Sequence, residues 1–281
     1  MKATSLAFEA FGVPLTVVCP QALTEAVLAV LPPGSRALPA STGTVATIRL
    51  TGLVVHGADG SGSMCATEVD ALHALDREVR AVVSLAAPGQ VFVHAGVVAV
   101  DGSAIVIPGR SFTGKTTLVG ALLELGATYL SDEYAVLDPS GAVWPYRRPL
   151  SFRTRSGRTD VAPEALGPVG GPGPFTVAAV ISTSYRAGAT WDPVPGTAAE
   201  CAFALLDNAV AARTRPGAVL AAVSAVARDA QHLIGARGDA VATAVALLAD
   251  AASGDPPPTR SGRAIRPSPA PRREPTRESY P

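Results

Sequence analysis

Residues 103–117 read SAIVIPGRSFTGKTT, an apolar run that enters a glycine-bounded turn and leaves it through a lysine and two threonines. Within it, Gly109-Arg110-Ser111-Phe112-Thr113-Gly114-Lys115-Thr116 fits G-x-x-x-x-G-K-[ST], with a strand-like segment before and a helix-like segment after, the context this motif requires. Glycines let the backbone curl until successive N–H groups point inward, and the helix that follows adds its positive N-terminal end. Such a loop holds the phosphates of a nucleotide. Gly109, Arg110, Ser111, Phe112, Thr113, Gly114, Lys115, Thr116 and Thr117 are therefore the candidate nucleotide-binding residues. Lys115 is placed to reach the β- and γ-phosphates, and Thr116 Oγ1 to reach a Mg²⁺ ion. Lysine usage supports this reading: of 23 basic residues 21 are arginine, and Lys2 and Lys115 are the two exceptions. A compact ammonium on a flexible stem has been kept where a phosphate loop needs one.

Upstream, VFVHAGVVAV (91–100), the turn Asp101-Gly102 and SAIVIPG (103–109) read as a β-hairpin, so the strand that delivers the loop has an antiparallel partner. Downstream, a helix over 115–125 is closed by Gly126, and a strand over 127–130 runs into Ser131-Asp132-Glu133. A right-handed crossover would lay that strand parallel to the loop's own strand and bring both carboxylates out at the C-terminal sheet edge, beside the phosphates. Asp132 and Glu133 are thus candidates for the metal anchor and for the group that orients an attacking oxygen. His94, alone among valines, reads by itself as a satisfied core residue. Arg147, Arg148 and Arg153 in YRRPLSFR either clamp phosphate or substrate or cover a solvated face.

Together these residues resemble the C-terminal domain of HPr kinase/phosphorylase, whose P-loop is shared with phosphoenolpyruvate carboxykinases. The resemblance rests on His94-Ala95-Gly96-Val97-Val98, on Gly109 to Thr117 and on Ser131-Asp132-Glu133, in that order, and it is specific over residues 90–155. It implies an α/β fold: a mixed-sheet P-loop kinase core of the HPr kinase/phosphoenolpyruvate carboxykinase type with a small N-terminal α/β unit and a helical C-terminal part. It further implies an ATP- and Mg²⁺-dependent kinase that phosphorylates a hydroxyl, as the compact serine kinases of this family do on peptides. Asp132 would be the general base, assisted by His94, with Lys115 on the phosphates and Thr116 and Glu133 on Mg²⁺. A peptide or protein with a hydroxyl acceptor is the implied partner, and a homo-oligomer is favoured. Phe112 stands where the family loop carries glycine, and PLSFRT replaces the Glu-x-Arg-Gly signature of the bifunctional enzymes. Phe112 motivates a different reading, a nucleotide-sensing binding module with little or no turnover and the basic tail as its partner contact; a slow NTPase is a third.

The rest of the chain sets the frame. Residues 1–65 mix short strands (15–19, 44–50, 53–56) with a helix over 21–31 and read as the N-terminal unit. Residues 66–252 form the kinase domain, opening with a helix over 66–87 whose apolar positions repeat at helical spacing. Residues 156–174 read as loop, 176–182 as a buried strand, and 200–250 as alanine-rich helices broken at Pro216-Gly217 and at residues 235–238. The last 29 residues, 253–281, hold eight prolines and six arginines, cannot repay the entropy of ordering, and read as a disordered tail. Basic and acidic residues cancel at 23 each, which argues against nucleic acid as a partner. Without a long apolar run or signal-peptide core, the expectation is a cytoplasmic protein with no membrane contact. Cys19, Cys65 and Cys201 lack disulfide or metal spacing and read as buried free thiols.

Overall fold

The computed structural model describes residues 2–110, 113–154 and 157–253. Ser111, Phe112 and the tail from residue 254 onward lie outside the described residues. The architecture is mixed α/β. In the N-terminal part, β1 (Ala3–Ala10), β2 (Val13–Pro20), α1 (Thr24–Val30), β3 (Arg36–Ala37), β4 (Ala46–Thr51), β5 (Val54–His56) and β6 (Gly62–Met64) follow one another. Their strands make one six-stranded sheet of order β3-β1-β2-β4-β5-β6. Strict alternation in β2 buries Val13, Leu15, Val17 and Cys19 on one face.

Helix α2 (Glu68–Ala86) covers that face. Its Thr67 hydroxyl caps the first turn by accepting from the Asp70 N–H at 3.1 Å. Ala71, Leu75, Val79 and Val83, spaced four apart, pack on Leu15, Val17 and Ile48. The same cluster continues into Phe92, Tyr134, Val136 and Tyr146 of the second part of the chain. One apolar core therefore spans the small sheet, α2 and the edge of the larger sheet.

The larger part contains β7 (Val91–Val100), β8 (Ser103–Pro108), α3 (Lys115–Glu124), β9 (Thr128–Ser131), β10 (Tyr134–Leu137) and β11 (Val143–Trp144). It continues with β12 (Leu150–Thr154), β13 (Gly157–Val161), β14 (Val177–Tyr185), β15 (Val194–Pro195), α4 (Ala198–Asp207), α5 (Pro216–Asp229), β16 (Gln231–Arg237) and α6 (Ala240–Ser253). Eight of these strands form a sheet of order β11-β10-β7-β8-β14-β16-β15, with β9 also bonded to β7. Within it β8, β14 and β16 are mutually parallel, and β7 is antiparallel to β8. The turn between β7 and β8 has positive φ at both Asp101 (48°) and Gly102 (80°), the sign pattern of a tight hairpin that follows strand twist.

Alternation along β7 distributes the layers. Val91, Val93, Ala95, Val97 and Ala99 meet α4 and α5, while Val98 joins Ile105 and Ile107 against Leu118, Val119 and Leu122 of α3 and Leu247 of α6. The sheet is thus covered on both faces, as parallel strands require.

One expectation gains a detail and three need correction. Strand β9 is antiparallel to β7 and so shares the direction of β8, but β7 lies between them, so the crossover skips one strand. Residues 157–161, expected as loop, form β13 and pair with β12, because Arg158, Thr159 and Asp160 sit in a solvent-facing two-stranded ribbon that carries no apolar signal. Pro216 begins α5 instead of breaking a helix, a position where its missing N–H costs nothing. Residues 231–237, expected within a helical region, form the interior strand β16; its Gly235 admits Trp191, whose Cζ3 would stand 2.9 Å from an added Cβ. Cys19 and Cys201 are buried, whereas Cys65 is half-buried; all three are free. Among the described residues, no helix is long and apolar enough to cross a membrane.

One contact fixes α3 against β7. A Cβ on Gly96 would lie 2.5 Å from Val119 Cγ2. Gly96→Ala is expected to destabilise the protein by about 1–3 kcal/mol, the usual cost of overpacking a core. Denaturant unfolding checks it, and an unchanged midpoint would show that α3 has room to retreat.

Candidate functional site

The loop after β8 starts opposite His94, where the Gly109 N–H donates to the His94 carbonyl at 3.0 Å. It ends at Gly114, whose φ of +78° turns the chain into α3. The Thr113 hydroxyl donates to the Arg110 carbonyl at 2.9 Å, closing the turn on itself. Lys115 folds back over the loop: its Nζ donates to the carbonyls of Gly109 (2.6 Å) and Arg110 (2.9 Å). Burial lowers its pKa from the ordinary lysine value, while Asp132 and Glu133 act in the opposite direction. From two strands away on the same sheet edge, buried Arg237 of β16 braces the loop by donating from Nη2 to the carbonyls of Thr113 (2.8 Å) and Gly114 (2.9 Å). Two cations thus hold four carbonyls of the loop, those of Gly109, Arg110, Thr113 and Gly114.

The acidic pair occupies a kink. Strands β9 and β10 both lie along β7, with Ser131 opposite Val97 and Tyr134 opposite His94. Between them the Ser131 hydroxyl oxygen accepts the N–H groups of Glu133 (3.2 Å) and Tyr134 (3.1 Å), so Asp132 and Glu133 interrupt one long strand. The carboxylates therefore do not emerge at a free strand end, as the sequence suggested, but at a bend in mid-strand. That bend separates them. Asp132 lies beside Thr116 and Lys115, and Glu133 pairs with Arg80 of α2.

Their surroundings differ accordingly. Burial pushes Asp132 up to about 6, against the weaker opposing effects of the Thr116 hydroxyl and the Lys115 ammonium. Its Oδ1 is buried with no hydrogen-bond partner among the described residues. Glu133 is the outer member of a charge chain: Arg80 also meets Asp76 at 3.1 Å, one helical turn away, and Asp76 meets Arg148 at 2.7 Å. Burial works against the Arg80 charge, but Glu133 and Asp76 outweigh it and hold its proton more firmly than usual.

His94 is half-buried, its ring 4.9 Å from that of Tyr134, on the strand between the loop and the acidic pair. Burial lowers its pKa; Glu133 raises it, and Lys115 and Arg80 lower it further, so the surroundings favour the neutral ring. Of the three arginines left open by sequence, Arg148 belongs to the charge chain and also donates to the Val30 carbonyl at 3.1 Å. Arg147 donates to the Gly170 carbonyl at 3.0 Å, and Arg153 is exposed on β12. Arg80 and Arg237 were not anticipated. The Asp76-x-x-x-Arg80 spacing signals an ion pair on a helix, but nothing local says that its far end is Glu133. Arg237 was hidden with the strand that carries it.

A cavity of about 160 Å³ opens beside Asp132 and Glu133. Ala29 and Val30 at the end of α1, His73 and Arg80 of α2, and Arg158 and Asp160 of β13 form its other walls. Lys115, Thr116, Asp132 and His94 thus converge at one end of the sheet. Among the described residues, no cluster of three or more His, Cys, Asp or Glu side chains forms a ready-made metal cage. A cation here would have to share the Thr116 hydroxyl and an acidic side chain with oxygens of a bound ligand, as Mg²⁺ at phosphate sites does.

The elevated Asp132 has a thermodynamic signature. Its folded value of about 6 exceeds the ordinary 3.8, so between these pH values the folded protein binds more protons there than the unfolded chain. The cost of burying this carboxyl is absent at lower pH and is complete once the pH has risen past about 6. Asp132→Asn is therefore expected to stabilise the protein at about pH 8 by up to about 3 kcal/mol, with most of the gain lost at about pH 4. Urea unfolding at the two pH values measures this; an equal gain at both would assign the effect to packing.

No family model matches the chain, and no curated protein matches it. Among solved structures it is similar to the Hpr(Ser) kinase/phosphatase from Coxiella burnetii, at 16% sequence identity and a TM-score of 0.31, over 58% of this chain and 95% of that one.

Proposed function

We propose that the chain is an ATP- and Mg²⁺-dependent phosphotransferase that acts on a hydroxyl, a serine of a peptide or protein. The observation that carries this reading is Asp132: a buried carboxyl with an unpartnered Oδ1, beside Lys115 and Thr116 and facing a cavity. The donor set fits MgATP, since a glycine loop supplies N–H groups, Lys115 an ammonium, and Thr116 and Glu133 hard oxygens for Mg²⁺. Bound MgATP supplies the transferable phosphoryl group.

The chain's own residues do the rest by position and charge. Lys115 exchanges the carbonyls of Gly109 and Arg110 for phosphate oxygens and neutralises their charge. Asp132, titrating near 6, is ionised at pH 7 yet basic enough to take the acceptor hydroxyl's proton at Oδ1. His94 lies on the neighbouring strand, where Glu133 and Lys115 act on its ring, and assists Asp132 from there. Arg80 meets Glu133 through Oε1 and fixes its orientation. The acceptor enters by the cavity beside the acidic pair, whose walls include α1 and α2.

A second reading, a nucleotide-sensing module with little turnover, is favoured by one observation. The Lys115 ammonium is already satisfied by its own loop, a stable resting state from which ligand binding must displace it. The two readings part on acceptor dependence.

ADP release that requires a serine-containing peptide is expected of the kinase, and binding without such release of the sensor. Asp132→Asn is expected to lower kcat by at least about a hundredfold, the range for acid–base groups, with MgATP affinity retained. Glu133→Gln is expected to raise the Mg²⁺ concentration needed for activity. Should Asp132→Asn keep full acceptor phosphorylation, the general-base assignment is wrong.

A further inference from the structure

Strands β8, β14 and β16 run parallel, so their C-terminal ends share one sheet edge. The phosphate loop leaves β8 there, Tyr185 ends β14, and Arg237, its register partner, ends β16. A cavity of about 370 Å³ opens at this edge, lined by Thr113, Gly114, Thr117, Tyr185, Arg237 and Asp239. It shares no residue with the cavity beside Asp132.

The lining is unusual in three ways. Tyr185 is 65% exposed, a large ring at a strand end that covers no core. Arg237 lies with Cζ 5.8 Å from the centre of that ring; its side chain is otherwise buried, and its Nε has no partner among the described residues. Asp239 turns Oδ1 onto the Ala242 N–H at 2.9 Å, which fixes a carboxylate at the first turn of α6. A phosphate would be repelled by that carboxylate, and Nη2 of Arg237 is already committed to the loop carbonyls. The cavity therefore suits the uncharged end of a nucleotide whose charged end lies on the loop.

We propose that this cavity is the nucleoside subsite: a purine stacks on the Tyr185 ring, and Asp239 accepts hydrogen bonds from the ribose hydroxyls. The proposal rests on the phosphate-loop reading and extends it to the base. Open α/β sheets bind ligands at the C-terminal ends of their strands, the volume lies in the range of small-ligand sites, and the cavity beside the acidic pair is left for the acceptor. Stacking on an exposed ring gains affinity through the π-face of the base.

The test compares ATP with inorganic tripolyphosphate, which carries the charge without the nucleoside, by calorimetry on the full chain with Mg²⁺. Tyr185→Ala is expected to weaken ATP binding about tenfold or more and to leave tripolyphosphate unchanged, while Tyr185→Phe keeps ATP affinity. Lys115→Ala is expected to weaken both ligands. If Tyr185→Ala leaves ATP affinity intact, or weakens both ligands equally through Arg237 and the loop, the subsite is wrong. Equal wild-type affinity for the two ligands would overturn the subsite and keep the phosphate loop. Binding of neither would overturn both.

Discussion

Strand β7 is hydrogen-bonded along one edge to the strand that delivers the phosphate loop and along the other to the kinked strand that carries the acidic pair. Neighbouring strands lie about 4.8 Å apart, so the glycine loop and the acidic pair are held about two strand spacings from each other by backbone alone. What remains between them is a single face of β7, occupied at this level by His94 and Gly96. Because Gly96 has no side chain, α3 can sit against the sheet, and an added Cβ would lie 3.8 Å from Asp132 Oδ1. A larger residue there would fill the space in which Asp132 meets the first turn of α3.

The same geometry explains why two adjacent carboxylates behave so differently. Asp132 is turned inward, where loss of water dominates and the nearest cation, Lys115, is already engaged with carbonyls. Glu133 is turned toward α2, where Arg80 compensates it. Paired titratable groups whose environments push them apart are the usual basis for dividing proton transfer from charge stabilisation. The charge chain Glu133–Arg80–Asp76–Arg148 also crosses from the larger sheet to α2 and back, so the orientation of Glu133 depends on elements far from it in sequence. Removing Asp76 would leave two poorly solvated guanidinium groups facing each other, a far larger loss than the worth of either pair.

How much was readable in advance follows from how local each signal is. The hairpin and the helix after the glycine turn are specified by residues within one turn of each other, and β7, β8 and α3 lie close to the expected bounds. The six-residue neighbourhood of Ser131-Asp132-Glu133 announced two carboxylates but not the kink, because the kink is made by a serine hydroxyl bonding two backbone N–H groups. Strand β16 was lost for a different reason. It is an interior parallel strand seven residues long, flanked by two alanine-rich helices, and its Gly235 looks like a helix stop until Trp191 is seen packed on it. With the strand went Arg237, whose role depends on strand order and on nothing in its own neighbourhood. Pairings such as Arg80 with Glu133, separated by 53 positions, depend on the packing of α2 and are set only by the completed fold.

The aromatic cluster at the junction of the two sheets ties them together. Phe11, in the turn after β1, stacks on Tyr146 at 5.8 Å and meets Phe92 edge-on at 5.2 Å, and Phe92 in turn meets Tyr134, the residue opposite His94. A substitution in the small sheet is thus also a substitution in the footing of His94. The small sheet is therefore not an independent cassette: exchanging it without its share of those rings would unsettle the packing beneath His94.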